Sequence, residues 1–470
     1  MRALLLLGSL GIVAAAAAVP PPAPGTRCNL HLIKADHDFV RNPQFNNDVN
    51  VNYDVAGHVH LQCDRQEIFL DADSVSVLSE DYARLYGHVV YRDSAYRFAA
   101  DTMIYILRLE KLEARGNVHV LDKSAGSTLD GPFVDYWRQV KGVNDSARVE
   151  ALKRPTVHYF TTPPSGDSTK RSPYILVGAH LKGFGKSRMT ADSAVTLDRD
   201  SLHARSDSIA VDRGKATTVQ LMGKPARVRR AGEDSFLVVG KEIRFRLEDD
   251  KLRELRSFLD ASVVRGATIV NGDTVTMAFT AEKLGLTLAW NRKTGATMRS
   301  EGYDVVGDSL AVETPAELLR EIRVFNHGMI RNPRDTTVHP SPRFPGDTAK
   351  PDSTRNTLWG ERITARFDQA DSAGTQVTRV RGLQAFGKGA LQARSLFARM
   401  VTAKDGKVTP SINYTLADTI LLRMKSGDSS GISAVQAYGH VDGVQLETAS
   451  MSKPKTDSAK SVPPPPKGRP

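Results

Sequence analysis

The chain has 470 residues, 40% of them hydrophobic and 25% charged, with a formal net charge of +11. This is enough apolar material for two or three cores or one long repeat array, and the charge fraction excludes a helical membrane protein. The basic excess suits anionic partners such as lipid phosphates or acidic glycans. Nucleic acid is not expected, because no aromatic residues interleave with the one basic cluster, Arg227-Val228-Arg229-Arg230.

The first element is a targeting segment. Met1-Arg2-Ala3 carries one positive charge, Leu4 to Val19 is apolar, and Pro20-Pro21-Pro22 follows. Residues 1–19 therefore read as a signal peptide, with retention as a short anchor the alternative. A linker covers 20–35. The two cysteines, Cys28 and Cys63, lie early in the predicted mature chain. An even count in an exported protein suggests a disulfide, with two unpaired thiols as the alternative.

From residue 36 a short pattern recurs: apolar, any, small, usually acidic, any, apolar, any, apolar. It appears as Leu70-Asp71-Ala72-Asp73-Ser74-Val75-Ser76-Val77 and as Phe98-Ala99-Ala100-Asp101-Thr102-Met103-Ile104-Tyr105. Later copies centre on Gly131, Ala191, Ser206, Gly240, Ala281, Gly307, Gly360, Ala393 and Ala417. Asp or Glu follows the small residue at Asp73, Asp101, Asp192, Asp207, Glu282, Asp308, Glu361 and Asp418. Six copies meet the strict form, against roughly one expected from composition.

A second pattern, Gly-x-Val, answers the first at Gly57-His58-Val59, Gly87-His88-Val89, Gly116-Asn117-Val118 and Gly439-His440-Val441. Each unit is thus strand, polar turn, strand. Within the first pattern the apolar positions change parity at the small-acidic step. A regular strand cannot bury both sets on one side, so a bulge or corner is predicted there. Stacked bent strands make a rolled, solenoid-like sheet, spanning on the order of 50 Å for eleven units. Its terminal strands leave open edges for docking.

The Pro315–Arg323 stretch predicts one short helix with Thr314 as N-cap. Pro-rich stretches divide the chain: a loop at Thr161–Pro173, a linker at 331–357, and a disordered tail at 451–470. The expected organisation is one array over 36–330 and a smaller C-terminal β block over 358–450.

The residues from Asp71 to Val120 resemble the organic-solvent-tolerance (OstA-like, LptA-type) domain of periplasmic lipopolysaccharide-transport proteins. The likeness is carried by Ala-Asp-Ser-Val-Ser-Val, Tyr86-Gly87-His88-Val89, Ala-Ala-Asp-Thr-Met-Ile-Tyr and Ala114-Arg115-Gly116-Asn117-Val118 in that order. It is clear over about residues 50–160 and degenerate onward to about 445. The resemblance implies an all-β jellyroll in the periplasm, associated with the outer membrane. Acyl chains of lipopolysaccharide, or of a related envelope glycolipid, would lie in an apolar groove. Edge strands would join the protein to other transport proteins or to itself. The chain is longer than the simple bridge protein of that family and lacks the barrel of the larger one.

On that reading the groove candidates are Val75, Val77, Val89, Tyr91, Met103, Tyr105, Val118, Val120, Val134 and Tyr136. Ordinary core packing is the alternative for each, and a structural or adhesive β-solenoid without lipid cargo is the alternative for the whole. Histidines His58, His60, His88, His119, His158 and His440 sit on the return strands, alternating with valine, and are expected to face solvent; His58 and His60 share a face, but no clustered acidic partner for a metal site is evident. The corner carboxylates recur once per unit, which favours a structural role over the paired carboxylates of a glycosidase. No nucleophile elbow, phosphate loop or zincin motif is present. No catalytic residue, cofactor or metal is expected.

Overall fold

The computed structural model describes residues 28–40, 53–63, 67–78, 82–160, 172–185, 187–232, 235–248, 251–300, 303–315, 318–332, 356–372, 375–389, 392–402, 408–424 and 432–447. The expected signal segment, the C-terminal tail and most of both Pro-rich stretches lie outside these residues. The chain is all-β, and its strands pair antiparallel. It forms two compact units: residues 1–157 with 180–187, and residues 158–179 with 188–470.

The strands up to residue 184 are β1 (Leu30–Lys34), β2 (His37–Val40), β3 (Tyr53–Cys63), β4 (Phe69–Leu78), β5 (Tyr82–Arg92), β6 (Tyr96–Ile106), β7 (Lys111–Asp122), β8 (Thr128–Trp137), β9 (Arg148–Leu152), β10 (Thr156–Tyr159), β11 (Tyr174–Val177) and β12 (His180–Phe184). β11 belongs to the second unit, and the boundary crosses β10. From β3 to β9 each strand pairs with the next, and β12 closes onto β9. β1 and β2 are one bent strand broken at its corner, and both pair with β3.

The parity switch is present where the pattern places it. β4 buries Leu70 and Ala72, then Val75 and Val77; β6 buries Phe98 and Ala100, then Met103 and Tyr105. The return strands keep parity but carry an extra residue. Between the pairs Asp71↔Val90 and Ser74↔Tyr86, β4 has two residues and β5 has three. The bulge therefore sits on the return strand, at Gly87-His88, with the acidic corner residue Asp73 facing it. Both bulge residues are left-handed, at φ +72° and +45°. A Cβ on Gly87 would come within 2.2 Å of Asp73 Oδ2, so glycine is required there for space as well as for backbone freedom.

The second unit continues the scheme with β13 (Arg188–Arg199), β14 (Leu202–Arg213), β15 (Thr217–Arg230), β16 (Phe236–Glu248), β17 (Lys251–Arg265), β18 (Thr268–Thr280), β19 (Lys283–Trp290), β20 (Ala296–Arg299), β21 (Asp304–Gly307), β22 (Ser309–Glu313) and β23 (Glu321–Arg331). β18, β19, β22, β23, β21 and β20 pair in a closed ring of six. The ring closes because β18 and β23 each pair with two shorter strands along their length, the two bent strands between them being split at their corners. One split is the Asn291–Gly295 turn, where Asn291 Oδ1 accepts the N–H groups of Lys293 and Thr294. The other is Gly307-Asp308.

Then follow β24 (Thr357–Ser372), β25 (Thr375–Phe386), β26 (Ala393–Thr402), β27 (Val408–Ala417), β28 (Thr419–Met424), β29 (Ile432–Tyr438) and β30 (Asp442–Glu447). β24 pairs directly onto β23, with Ile330 opposite Leu358 and Ile322 opposite Ala365. The C-terminal block expected at 358–450 thus extends the array of the second unit, and the two units part near residues 157 and 188 instead.

Two local expectations are corrected. Glu321 to Arg323 belong to β23 and not to a helix, because Ile322 and Val324 alternate into the interior with a period of two. The copy centred on Ala281 is not a corner. Ala281 and Glu282 form the left-handed hairpin turn between β18 and β19.

Candidate functional site

The corners carry a repeated side-chain clasp. The acidic residue of one strand reaches the bulge of its neighbour: His58 Nδ1 lies 2.8 Å from Asp36, His88 Nδ1 2.9 Å from Asp73, and His440 Nδ1 2.8 Å from Asp418. Asn117 donates to Asp101 at 2.9 Å, and His327 lies 3.2 Å from Asp308. Further pairs join neighbouring strands at His60–Asp71, His119–Asp130 and His203–Asp198. His58, His88, His119 and His440 do face solvent, His60 and His158 are half-buried, and His58, His60, His88, His119 and His440 each meet a carboxylate that the sequence alone does not place beside them. The partner comes from the adjacent strand, 15 residues away for His88 and 22 for His440. Asp36 escapes the repeat because Asp38 stands where the pattern requires an apolar residue; Ala35-Asp36 followed by Gly57-His58 was the available signal. Among the described residues no group of three or more His, Cys, Asp or Glu could hold a metal ion.

The hydrogen bond to Asp73, and then the charge of Asp73, hold His88 above its ordinary 6.5, and Asp418 does the same for His440. His58 holds Asp36 below its usual 3.8, chiefly through its hydrogen bond. A histidine raised in the folded state stabilises fully below pH 6.5 and loses its contribution as pH rises through the raised value. Asp36 contributes above 3.8 and loses its contribution as pH falls through the lowered value. In an NMR titration His88 and His440 are expected to have midpoints above 6.5, each falling back in Asp73→Asn or Asp418→Asn. Midpoints at or below 6.5 in the parent chain refute the clasp.

The ten groove candidates all lie in the interior of the first unit, and none is more than 5% exposed. Its aromatic residues pack against one another, and Val118 also borders an open recess of about 430 Å³ with Asn117, Asp130, Gly131 and Pro132. Tyr91, Phe98 and Tyr136 pack with ring centroids 5.1 to 6.1 Å apart, and Tyr105 lies 6.3 Å from Tyr91. Their hydroxyls end on buried carboxylates. Tyr91 and Tyr136 donate to Asp93 Oδ2 at 2.8 and 3.1 Å, and Tyr105 donates to Glu110 Oε2 at 2.5 Å. Burial, reinforced by these carboxylates, pushes all three phenols well up, so they remain neutral donors.

Glu110 is fully buried and satisfied. Its Oε1 accepts the Cys28 N–H at 2.7 Å, and its Oε2 accepts the Arg138 guanidinium at 2.8 Å. Cys28 and Cys63 are disulfide-bonded, with 5.0 Å between their Cα atoms. Neither Glu110 nor Arg138 belongs to the repeat, and Glu110 stands among the other charged residues Arg108, Lys111 and Glu113, so nothing in the sequence singles either out.

The interior of the second unit is not filled throughout. A gap beneath Tyr159 and Tyr174 measures about 10 Å³, at most room for one water. Farther along, a cavity of about 140 Å³ opens among β21, β23, β24, β25, β26, β28 and β29. Its walls include Ile322, Phe367, Leu383, Phe397 and Leu422. Among the described residues no charged side chain lines it, and Tyr303, Asn332 and Asn356 are its polar members. The outer face of the same unit carries a basic patch. Arg205 on β14 lies directly opposite Arg227 on β15, with Arg229 two residues on, and all three are exposed. Like charges directly opposite one another destabilise a sheet and favour an anionic neighbour.

Comparison with protein-family models returns no match for this chain, and comparison with curated proteins returns none either.

Proposed function

We propose that this chain is an exported, non-enzymatic carrier of lipopolysaccharide or a related envelope glycolipid, working in the periplasm as part of a bridge to the outer membrane. The bent, parity-switching strands favour an OstA-like jellyroll over a flat sheet. The observation that carries the lipid reading is the apolar cavity in the second unit. It is walled by apolar side chains and, among the described residues, by no charged one. The exposed arginines Arg205, Arg227 and Arg229 supply a surface for phosphates. Docking to partner proteins or to a second copy would use strand edges such as β1, where Leu32 and Ile33 are exposed. The mutual packing of Tyr91, Phe98 and Tyr136 favours a structural role for the first unit, with cargo held elsewhere.

The test is a photocrosslinker placed in cells at Leu383 or Phe397 in the second unit and at Tyr105 or Val118 in the first. Lipopolysaccharide capture is expected at Leu383 and Phe397, well above that at Tyr105 and Val118. Absence of capture at all four positions in folded protein overturns the reading, as does purified protein free of lipid by mass spectrometry.

A further inference from the structure

The cavity's size and lining say more than that it is apolar. An engineered apolar cavity of about 150 Å³ holds a single benzene, and this one measures about 140 Å³. Such a volume takes a short stretch of one hydrocarbon chain. It cannot enclose the several chains of a whole glycolipid.

The polar groups are gathered at one end. Tyr303 immediately precedes β21, Asn332 follows β23, and Asn356 precedes β24. The register brings these strand ends together, since Asp304 lies opposite Arg331 and Arg331 opposite Thr357. Asn332 and Asn356 are tied to each other: the Asn356 N–H donates to Asn332 Oδ1 at 2.8 Å, and the Asn332 N–H donates to the Asn356 carbonyl at 3.1 Å. Burial pushes the Tyr303 hydroxyl up to about 12, so it stays a neutral phenol, its ring 5.4 Å from Phe367. This end therefore offers uncharged hydrogen-bonding groups. Among the described lining residues there is no cation to offset the desolvation of a carboxylate or phosphate placed there, whereas an ester, amide or hydroxyl needs none.

We infer that the cavity is a binding site for one acyl chain, taking an apolar chain segment between Phe367, Leu383 and Leu422 and a neutral linking group at Tyr303, Asn332 and Asn356. The inference rests on the lipid-carrier reading and narrows it to one chain per site, entered by a neutral linkage. Any other chains of a larger lipid would stay outside this cavity.

The experiment uses the full chain with two probes, benzene and monopalmitoyl glycerol, followed by calorimetry and by methyl NMR shifts at Leu383 and Leu422. Both are expected to bind one to one, with palmitate anion weaker than the glycerol ester. Filling the cavity by Ala365→Leu, or by Leu383→Phe should the first fail to fold, is expected to weaken both probes by about tenfold or more, the scale that one misplaced methylene imposes on an apolar pocket. No binding of either probe to the parent chain overturns the inference. So does binding that persists in both filled variants, or palmitate bound as tightly as its ester. Lipopolysaccharide capture in cells is scored separately. Probes that bind while lipopolysaccharide is never captured leave the cavity assignment standing and remove the carrier reading. Capture without probe binding does the reverse.

Discussion

Replacing Glu110 by alanine is expected to destabilise the first unit by about 3–5 kcal/mol, the usual result of removing one partner from a buried ion pair. The Glu110 carboxylate is fully buried and accepts hydrogen bonds from Arg138, Tyr105 and the Cys28 backbone. Alanine strands the Tyr105 and Cys28 donors, and Arg138, itself only 7% exposed, loses its buried carboxylate. Glu110→Gln keeps the volume and an acceptor for Cys28 but loses the charge, so it should cost less. The double variant Glu110→Ala/Arg138→Met should recover much of the loss, because a buried pair replaced by apolar groups is often neutral. Trp137 is the only tryptophan of the first unit, with Trp290 and Trp359 in the second. Its fluorescence in a Trp290→Phe/Trp359→Phe background follows urea unfolding of the first unit alone. A loss below about 1 kcal/mol for Glu110→Ala, or strict additivity in the double variant, would show that the pair is not the closing element of this core.

The same contrast explains what could be read from the residues alone. The bent strand was legible because it is written in parity: Leu70 and Ala72 against Val75 and Val77 cannot be buried together without a corner. The location of the bulge was only half legible. Asp73 marks the corner, but the left-handed residues are Gly87 and His88 on the neighbour, and cross-strand register is not visible within one strand. The clasp partners were missed for the same reason, since His88 and Asp73 meet through pairing and not through sequence proximity. Burial of Val118 or Tyr105 was predictable from alternation, whereas whether that interior is filled or open depends on how side chains from many strands sum to a volume. Periodicity carries no information on that sum. Alternation therefore marks the ten candidates as interior, and it leaves the cavity in the second unit unmarked.

Removing the disulfide by Cys28→Ala/Cys63→Ala is expected to lower the stability of the first unit by about 3–4 kcal/mol, the loop-closure value for a crosslink across 35 residues. The effect should be local as well as global. β1 has little packing to hold it: Leu30 is half-buried and the following four residues are exposed. It pairs along β3, with Leu30 opposite Cys63 itself, so the crosslink sits where the strand begins. Without it, β1 amides should exchange with solvent far faster than those of β4, whose Leu70 and Val75 lie in the core. The disulfide and Glu110 also act on one segment, because Cys28 contributes both the thiol and the N–H that Glu110 accepts. Their losses should therefore be non-additive: Glu110→Ala should cost less in the cysteine-free chain than in the parent, since the Cys28 N–H is already released. Unchanged β1 exchange, or a stability loss below about 1 kcal/mol, would mean that strand pairing alone anchors the N-terminal edge. In that case the exposed Leu32 and Ile33 would be presented for docking whether or not the cysteines are oxidised.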